Sequence, residues 1–333
     1  MNDDRSILVT GGTGTFGKAF VKYLLKNTEI PRIIIFSRDE MKQWDMMNQF
    51  GRDARLRFFI GDVRDRDRLY RAMSGVDLVV HAAASKIVPT AEYNPFECIK
   101  TNVNGAMNVI DACIDNGVKK VVALSTDKAS SPVNLYGASK LVSDKMFVAA
   151  NAYSGEHNTR FSVVRYGNVM GSRGSVLPFF WSIRDSGRLP VTDAKMTRFM
   201  ISIEEGIELV NVAFRESVGG EIFVKKIPSM NIMDIAAAIN SNAQIDIIGI
   251  REGEKLHEQM ISTEDASNTY EYDGYYKILP NLYDWATSED RIGVGKKVPS
   301  DFEYSSGTNT QWMSRDMLAD WIAKNKHILE VGI

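Results

Sequence analysis

The chain has 333 residues, 44% apolar and 25% charged, and its 40 Lys and Arg against 42 Asp and Glu leave a formal charge of -2. That length suits one large α/β domain or two sharing an interface, and near-neutrality excludes a general nucleic-acid coat. The apolar runs fall far below the ~20 residues of a membrane helix, and Met1-Asn2-Asp3-Asp4-Arg5 has no apolar signal core. A cytoplasmic protein with no membrane and no nucleic-acid partner is expected. Cys98 and Cys113 lack the close spacing of a zinc or redox pair, and His81, His157, His257 and His327 form no cluster, so no metal is expected.

Apolar, β-branched runs at 7–10, 33–36, 56–60, 78–82, 121–124 and 161–164 are separated by segments long enough for crossover helices. This alternation predicts an α/β fold built on a doubly wound parallel sheet of Rossmann type, whose strands are buried on both faces. Ligands of such sheets sit at the carboxyl ends of the strands. After about Gly167 the rhythm breaks at Gly171, Gly174, Pro178, Gly187 and Pro190. A nucleotide-binding domain is expected over 1–170 and a smaller, mainly substrate-binding lobe over 171–333. The two interleave where about 200–225 returns to the first domain, with 203–212 read as helix and 221–224 as strand.

The first strand runs directly into Thr10-Gly11-Gly12-Thr13-Gly14-Thr15-Phe16-Gly17, which opens a helix. Glycine at 11 allows the tight turn, at 14 lets a pyrophosphate approach the backbone, and at 17 brings helix against strand. Thr13, Thr15 and Phe16 share that cofactor loop. The second strand ends in Ser37-Arg38 where an NAD site places an acid, and a hydroxyl and a guanidinium suit a 2′-phosphate better. NADP is therefore expected, with Lys42 assisting; alternatively Arg38 and Lys42 are a solvated helix start capped by Asp39. Asp62 and Val63, after the third strand, are placed at the adenine edge. Ala82, Ala83 and Ala84, after the fourth, keep side chains clear of the cofactor.

The fifth strand ends in Ser125-Thr126-Asp127-Lys128, and Tyr136 follows with Lys140 four residues later. That spacing puts phenol and ammonium on one helix face, where Lys140 is expected to lower the phenol pKa and bind nicotinamide ribose. Of the twelve tyrosines, only Tyr136 has a lysine at this distance.

Gly11, Gly14, Gly17, Thr126 and Tyr136-x-x-x-Lys140 resemble the extended short-chain dehydrogenase/reductase superfamily. Sugar-nucleotide epimerases of that superfamily lack the acid and base beside the threonine, whereas its 4,6-dehydratases have an acid followed by Glu or Lys. Ser125-Thr126-Asp127-Lys128-Ala129, with Ile60-Gly61-Asp62-Val63-Arg64-Asp65, Ala91-Glu92-Tyr93-Asn94-Pro95 and the run from Gly249 to Glu258, is similar to the soluble UDP-N-acetylglucosamine 4,6-dehydratases (inverting) that begin pseudaminic acid synthesis. The similarity extends from the glycine loop to Tyr304-Ser305-Ser306. It implies UDP-N-acetylglucosamine as substrate, NADP as cofactor and a homo-oligomer, dimer or hexamer. Carried over by position, it implies Lys86 at the sugar, Asn168 near the pyrophosphate, and Thr192, Arg198, Arg251 and Glu254 around the nucleotide. The chain departs from the family pattern at Ser85, Ile87 and Ser130-Ser131.

The reaction implied begins with Tyr136 taking the C4 hydroxyl proton as the C4 hydride passes to NADP. Lys128 then removes the C5 proton, Asp127 protonates the departing C6 hydroxyl, and the hydride returns to C6. Lys128 must be neutral and Asp127 protonated when they act; burial pushes both that way and their mutual attraction opposes it. The alternatives are a C5-retaining dehydratase, a GDP-sugar dehydratase, a UDP-sugar 4-epimerase that needs neither Asp127 nor Lys128, and a redox-sensing module without catalysis.

Overall fold

The computed structural model describes residues 4–282, 285 and 287–331; Met1, Asn2 and Asp3, the start of the segment read above for a signal core, lie outside the described residues. Six parallel strands, β1 (Ser6–Thr10), β2 (Arg32–Ser37), β3 (Leu56–Ile60), β4 (Leu78–His81), β5 (Lys120–Thr126) and β6 (Arg160–Tyr166), lie in the order β3-β2-β1-β4-β5-β6. The strand Ile222–Lys225 adds parallel to β6. Antiparallel Tyr275–Ile278, Thr269–Tyr272 and Lys296–Lys297 extend the sheet to ten strands. β1 and β4 are buried at every position, which is why their sequences run apolar without alternation. The fourth strand stops one residue short of the expected Ala82, because the Ala83 amide turns to the Thr10 hydroxyl at 3.3 Å.

Strand order reverses between β1 and β4, which opens a crevice at their carboxyl ends. Helix α1 (Thr15–Asn27) packs Phe20, Val21 and Leu24 onto the sheet, each such side chain contributing roughly 1.5–3 kcal/mol. Helix α2 (Glu40–Phe50) starts from Asp39, whose carboxylate accepts from the Lys42 amide. The later helix Ile203–Glu216 has a full capping box, Ser202 with Glu205, and runs beyond the expected residue 212. Glu221, expected in the following strand, precedes it because its carboxylate accepts from Ser217, Val218 and Gly219.

A second, smaller core gathers Met170, Leu177, Phe180, Leu189, Met200, Ile235 and Leu318. Around it lie the three-stranded sheet of Asn168–Val169, Thr197–Ile201 and Ser229–Asn231 and the parallel pair Arg188–Val191 with Gln244–Ile247. The segment after Leu256 returns to the main body as the strand Gln259–Ile261, paired with Tyr304–Ser305. This return carries side chains from the second lobe's connecting loop to the end of β5. No described helix is long and apolar enough to cross a membrane.

Candidate active site

The glycine turn sits at the mouth of the crevice. Gly11 has φ +64° and lies so close to the β4 exit that a Cβ there would fall 2.8 Å from the Ala83 nitrogen. Gly17 is pressed against the turn itself, where a Cβ would meet the Gly12 Cα at 2.5 Å. A Cβ at Gly14 would meet only the Gly11 carbonyl, at 3.2 Å, and otherwise project into open space above α1. Gly14 caps α1 and no side chain bonds the helix's first amides, whereas α2 has Asp39 for that task. Open space over uncapped amides fits a pyrophosphate.

The Ser37 hydroxyl is buried on the Thr13 hydroxyl at 2.7 Å. Arg38 is mostly exposed and reaches Asp62 at 3.7 Å, while Lys42 pairs with Asp39 at 2.8 Å. Burial works to raise the Asp62 pKa, but its hydrogen bonds to Arg64 and the charge of Arg38 hold it below the usual carboxylate value. Val63 turns inward against Gly105, and Ala82 and Ala83 line the β4 exit.

The residues expected to react converge from three elements. β5 delivers Thr126, a short helical turn holds Asp127–Ala129, and the helix Leu135–Ala150 presents Tyr136 and Lys140. The Asn134 side chain and the Glu92 carboxylate accept from the Gly137 and Leu135 amides, both at 2.7 Å, and fix the helix start. Gly137 packs directly on the Lys128 carbonyl, so the helix and the turn approach more closely than any side chain would permit. Behind them Asn102 binds both the amide and the carbonyl of Ser85, at 2.8 and 2.9 Å, and holds the loop that carries Lys86.

The Asp127 carboxylate is fully buried. Its Oδ1 accepts from the Thr126 hydroxyl at 2.9 Å and the Lys128 ammonium at 3.1 Å, and its Oδ2 has no partner. Lys128 also reaches Glu258 Oε1 at 3.2 Å, and Glu258 Oε2 is likewise buried and unpartnered. The Arg198 Nε lies 3.9 Å from Glu258, while its Nη1 donates to the Thr197 and Leu256 carbonyls. Lys255 donates to the Ser130 carbonyl at 2.6 Å. Lys86, Lys128, Arg198 and Lys255 thus set four cations against two carboxylates, a field that favours an anionic substrate.

Burial raises the Asp127 pKa, Glu258 adds to it, and the Lys128 charge opposes it. That is the direction a general acid needs. For Lys128 burial works to remove the proton, but Asp127 and Glu258 outweigh burial and hold the ammonium above its usual pKa. Burial pushes the Tyr136 phenol up to about 12, and the cation that most counters this is Lys128, helped by a hydrogen bond from Thr126. Lys140 is itself buried, which lowers its pKa, and faces Asp144. Glu258 ends the run from Gly249 but has no expected role there, since nothing in its spacing ties it to Lys128.

The nucleotide candidates are more scattered. Asn168 opens a strand paired to Met200, and Thr192 donates to the Met196 sulfur at 3.1 Å. Arg251 is half exposed, 4.0 Å from Glu254, whose Oε2 is buried without a partner. Asn134 Nδ2 donates to the Gly253 carbonyl at 2.8 Å, tying this loop to the helix of Tyr136.

Residues 7–280 match the family described as polysaccharide biosynthesis protein. A UDP-N-acetylglucosamine 4,6-dehydratase (inverting) of Campylobacter jejuni is 56% identical over 97% of this chain and 98% of its own length. A UDP-glucose 4-epimerase of Rickettsia akari is 44% identical over 91% of both chains. Among solved structures, Pen from Bacillus thuringiensis superposes with a TM-score of 0.88 at 34% identity, covering 98% of this chain and 99% of that one. DesIV, a dTDP-glucose 4,6-dehydratase from Streptomyces venezuelae, shares the fold, with a TM-score of 0.72 at 22% identity over 98% of this chain and all of that one (100%).

Proposed function

The chain belongs to the polysaccharide biosynthesis protein family and, within it, to the UDP-N-acetylglucosamine 4,6-dehydratase (inverting) group, and from this premise we propose that it is an NADP-dependent hydro-lyase acting on UDP-N-acetylglucosamine. The product is a 2-acetamido-2,6-dideoxy-4-keto sugar nucleotide inverted at C5. The observation that carries the reading is the ion pair of buried Asp127 with partly buried Lys128, immediately beside Thr126 and Tyr136. Oxidation at C4 alone uses the phenol and the threonine; an acid and a base beyond them serve removal of water.

NADP, when bound, supplies a hydride acceptor at C4 and a donor at C6. The open turn at Gly14 and the amides of α1 hold its pyrophosphate, and Arg38 with Lys42 meets the 2′-phosphate. The absence of a carboxylate at the end of β2 supports NADP over NAD. Tyr136 takes the C4 hydroxyl proton, with Thr126 holding the phenol and Lys128 stabilising the phenolate. Lys140 binds the nicotinamide ribose. Lys128 removes the C5 proton acidified by the new ketone, Asp127 donates its proton to the leaving C6 hydroxyl, and as hydride returns to C6 a proton delivered to the opposite face of C5 by another group or water completes the inversion. Lys86 sits at the sugar, Asn168 at the pyrophosphate, and Thr192, Arg198, Arg251 and Glu254 around the nucleotide.

The relatives named UDP-glucose 4-epimerase favour a second reading, in which C4 is oxidised and reduced on opposite faces and no water is lost. Asp127, Lys128 and Glu258 would then have no task. We place the enzyme in the cytoplasm, at the opening step of pseudaminic acid synthesis, as a homo-oligomer of two or six chains. Exposed Phe96, Met107 and Val142, on neighbouring helices, support self-association. Proton NMR of the product at the earliest times tests the stereochemistry. Ring couplings of the L-arabino sugar are expected, and an early product wholly of D-xylo configuration would defeat the inverting assignment.

A further inference from the structure

The loop that carries Arg251 and Glu254 reaches the turn of Asp127 and Lys128 through the ammonium of Lys255. We propose that Lys255 is a positioning residue that fixes this turn, and with it the acid and base, for the removal of water. The proposal rests on the dehydratase reading and deepens it.

The turn has little hold of its own. Asp127–Ala129 is a single helical turn of three residues, closed by the Ser130 amide on the Asp127 carbonyl at 3.3 Å. The next residue, Ser131, has φ +43°, left-handed backbone that a residue with a side chain disfavours. A turn that ends on such a residue relaxes unless its last carbonyl is held. Lys255 Nζ donates to that carbonyl, on Ser130, at 2.6 Å, and the charge strengthens the bond. The Ser131 hydroxyl also reaches Gln259 at 2.8 Å, but that bond is exposed, and water competes for both partners.

Lys255 is itself fixed on both sides. Two residues before it, the Gly253 carbonyl accepts from Asn134 Nδ2 at 2.8 Å; one residue after it, the Leu256 carbonyl accepts from the Thr197 amide at 3.1 Å. A Cβ at Gly253, where φ is +78°, would stand 3.1 Å from the Asn134 Cβ, so the loop lies directly on the start of the Tyr136 helix. Burial lowers the Lys255 pKa, and the charges of Glu258 and Asp127 counter it. The ammonium is thus committed to a protein carbonyl, and Lys86, Lys128 and Arg198 still supply a field for an anionic substrate when Lys255 is replaced. Its loss therefore falls on the turn.

The consequence divides the reaction. Tyr136 rides on its own helix, whose start Asn134 and Glu92 hold, so C4 oxidation is spared. Asp127 and Lys128 ride on the turn, so releasing Ser130 misplaces them against the C6 oxygen and the C5 hydrogen. A displacement on the order of 1 Å between reacting groups costs about 100-fold in rate.

The test is Lys255→Met in the full-length enzyme with NADP and UDP-N-acetylglucosamine. Transient NADPH absorbance should form at wild-type amplitude, while kcat for the dehydrated product and C5 deuterium uptake from heavy water fall together by about 10- to 100-fold and KM stays within threefold. Lys255→Arg, which keeps a charged donor, should recover kcat to within about threefold of wild type. Lys255→Gln, uncharged and one bond shorter, carries the same test should the methionine variant fail to fold. A kcat within threefold of wild type, whether or not KM rises, overturns the proposal. So does loss of the NADPH transient along with kcat, or an arginine variant no faster than the methionine one. In each of these cases a dehydrated wild-type product leaves the dehydratase reading standing; a wild-type product that has lost no water defeats that reading instead.

Discussion

Gly137→Ala inserts a methyl group between the helix of Tyr136 and the turn of Lys128. The new carbon would collide with the Lys128 carbonyl oxygen and lie 3.1 Å from both the Lys128 carbonyl carbon and the Pro132 Cβ. The obstructing Lys128 atoms are backbone, so no rotamer change relieves the contact. In an open helix the substitution would stabilise by about 1 kcal/mol, whereas overpacking a closed site costs about 1–3 kcal/mol. Overpacking therefore prevails, for a net loss of up to about 2 kcal/mol. Relief requires the helix and the turn to part by on the order of 1 Å, a displacement that costs about 100-fold in rate when it separates reacting groups. Thermal unfolding and steady-state product formation measure the two effects together. A variant with an unchanged or raised Tm and kcat within threefold of wild type would refute the close-approach argument.

Other expectations follow from the same geometry. Arg38→Ala should weaken NADP by about 10- to 100-fold, the worth of one charge-assisted hydrogen bond, and NAD by less than threefold, measured by titration of the apoenzyme; equal weakening would remove the case for 2′-phosphate recognition. Tyr136→Phe should abolish transient NADPH in stopped flow, whereas Asp127→Asn should form NADPH and stall before product; normal product from the asparagine variant would end the acid assignment. Burial and the Lys140 charge depress the His81 pKa from 6.5 to about 3, so the unfolded chain binds the extra proton between those values. Stability from this histidine is then full above about pH 6.5 and lost as pH falls toward 3, by at most about 5 kcal/mol. His81→Asn should flatten the acid limb of Tm against pH, and an unaltered limb would contradict the sign.

The parallel sheet was legible because its inner strands are buried on both faces, leaving apolar runs such as Ile33, Ile34 and Ile35 with no helical period, whereas the edge strand β3 is partly exposed. The cofactor turn was legible because glycine at 11 and 17 is a steric requirement that leaves a mark in the sequence. Thr126, Asp127, Lys128 and Tyr136 are near one another in the chain, so their convergence could be read from spacing. Glu258 could not, because it reaches Lys128 across 129 intervening positions, through a strand pairing that sequence alone does not reveal. The same long-range contact decides the sign of the Lys128 shift: one carboxylate and burial would leave the balance open, and the second carboxylate tips it toward the ammonium. Gly137 leaves no such mark, since its partner is the backbone of another element.

On the proposed reading, one site oxidises C4, removes water across C5 and C6, and returns the C4 hydride to C6. UDP-N-acetylglucosamine deuterated at C4, incubated with the enzyme and unlabelled NADP, tests all three parts in one product. Mass spectrometry and NMR should show a nucleotide sugar lighter by one water, with a ketone at C4 and the deuterium in the C6 methyl group. A product of unchanged mass that keeps its deuterium at C4 would contradict the account and make the enzyme an epimerase.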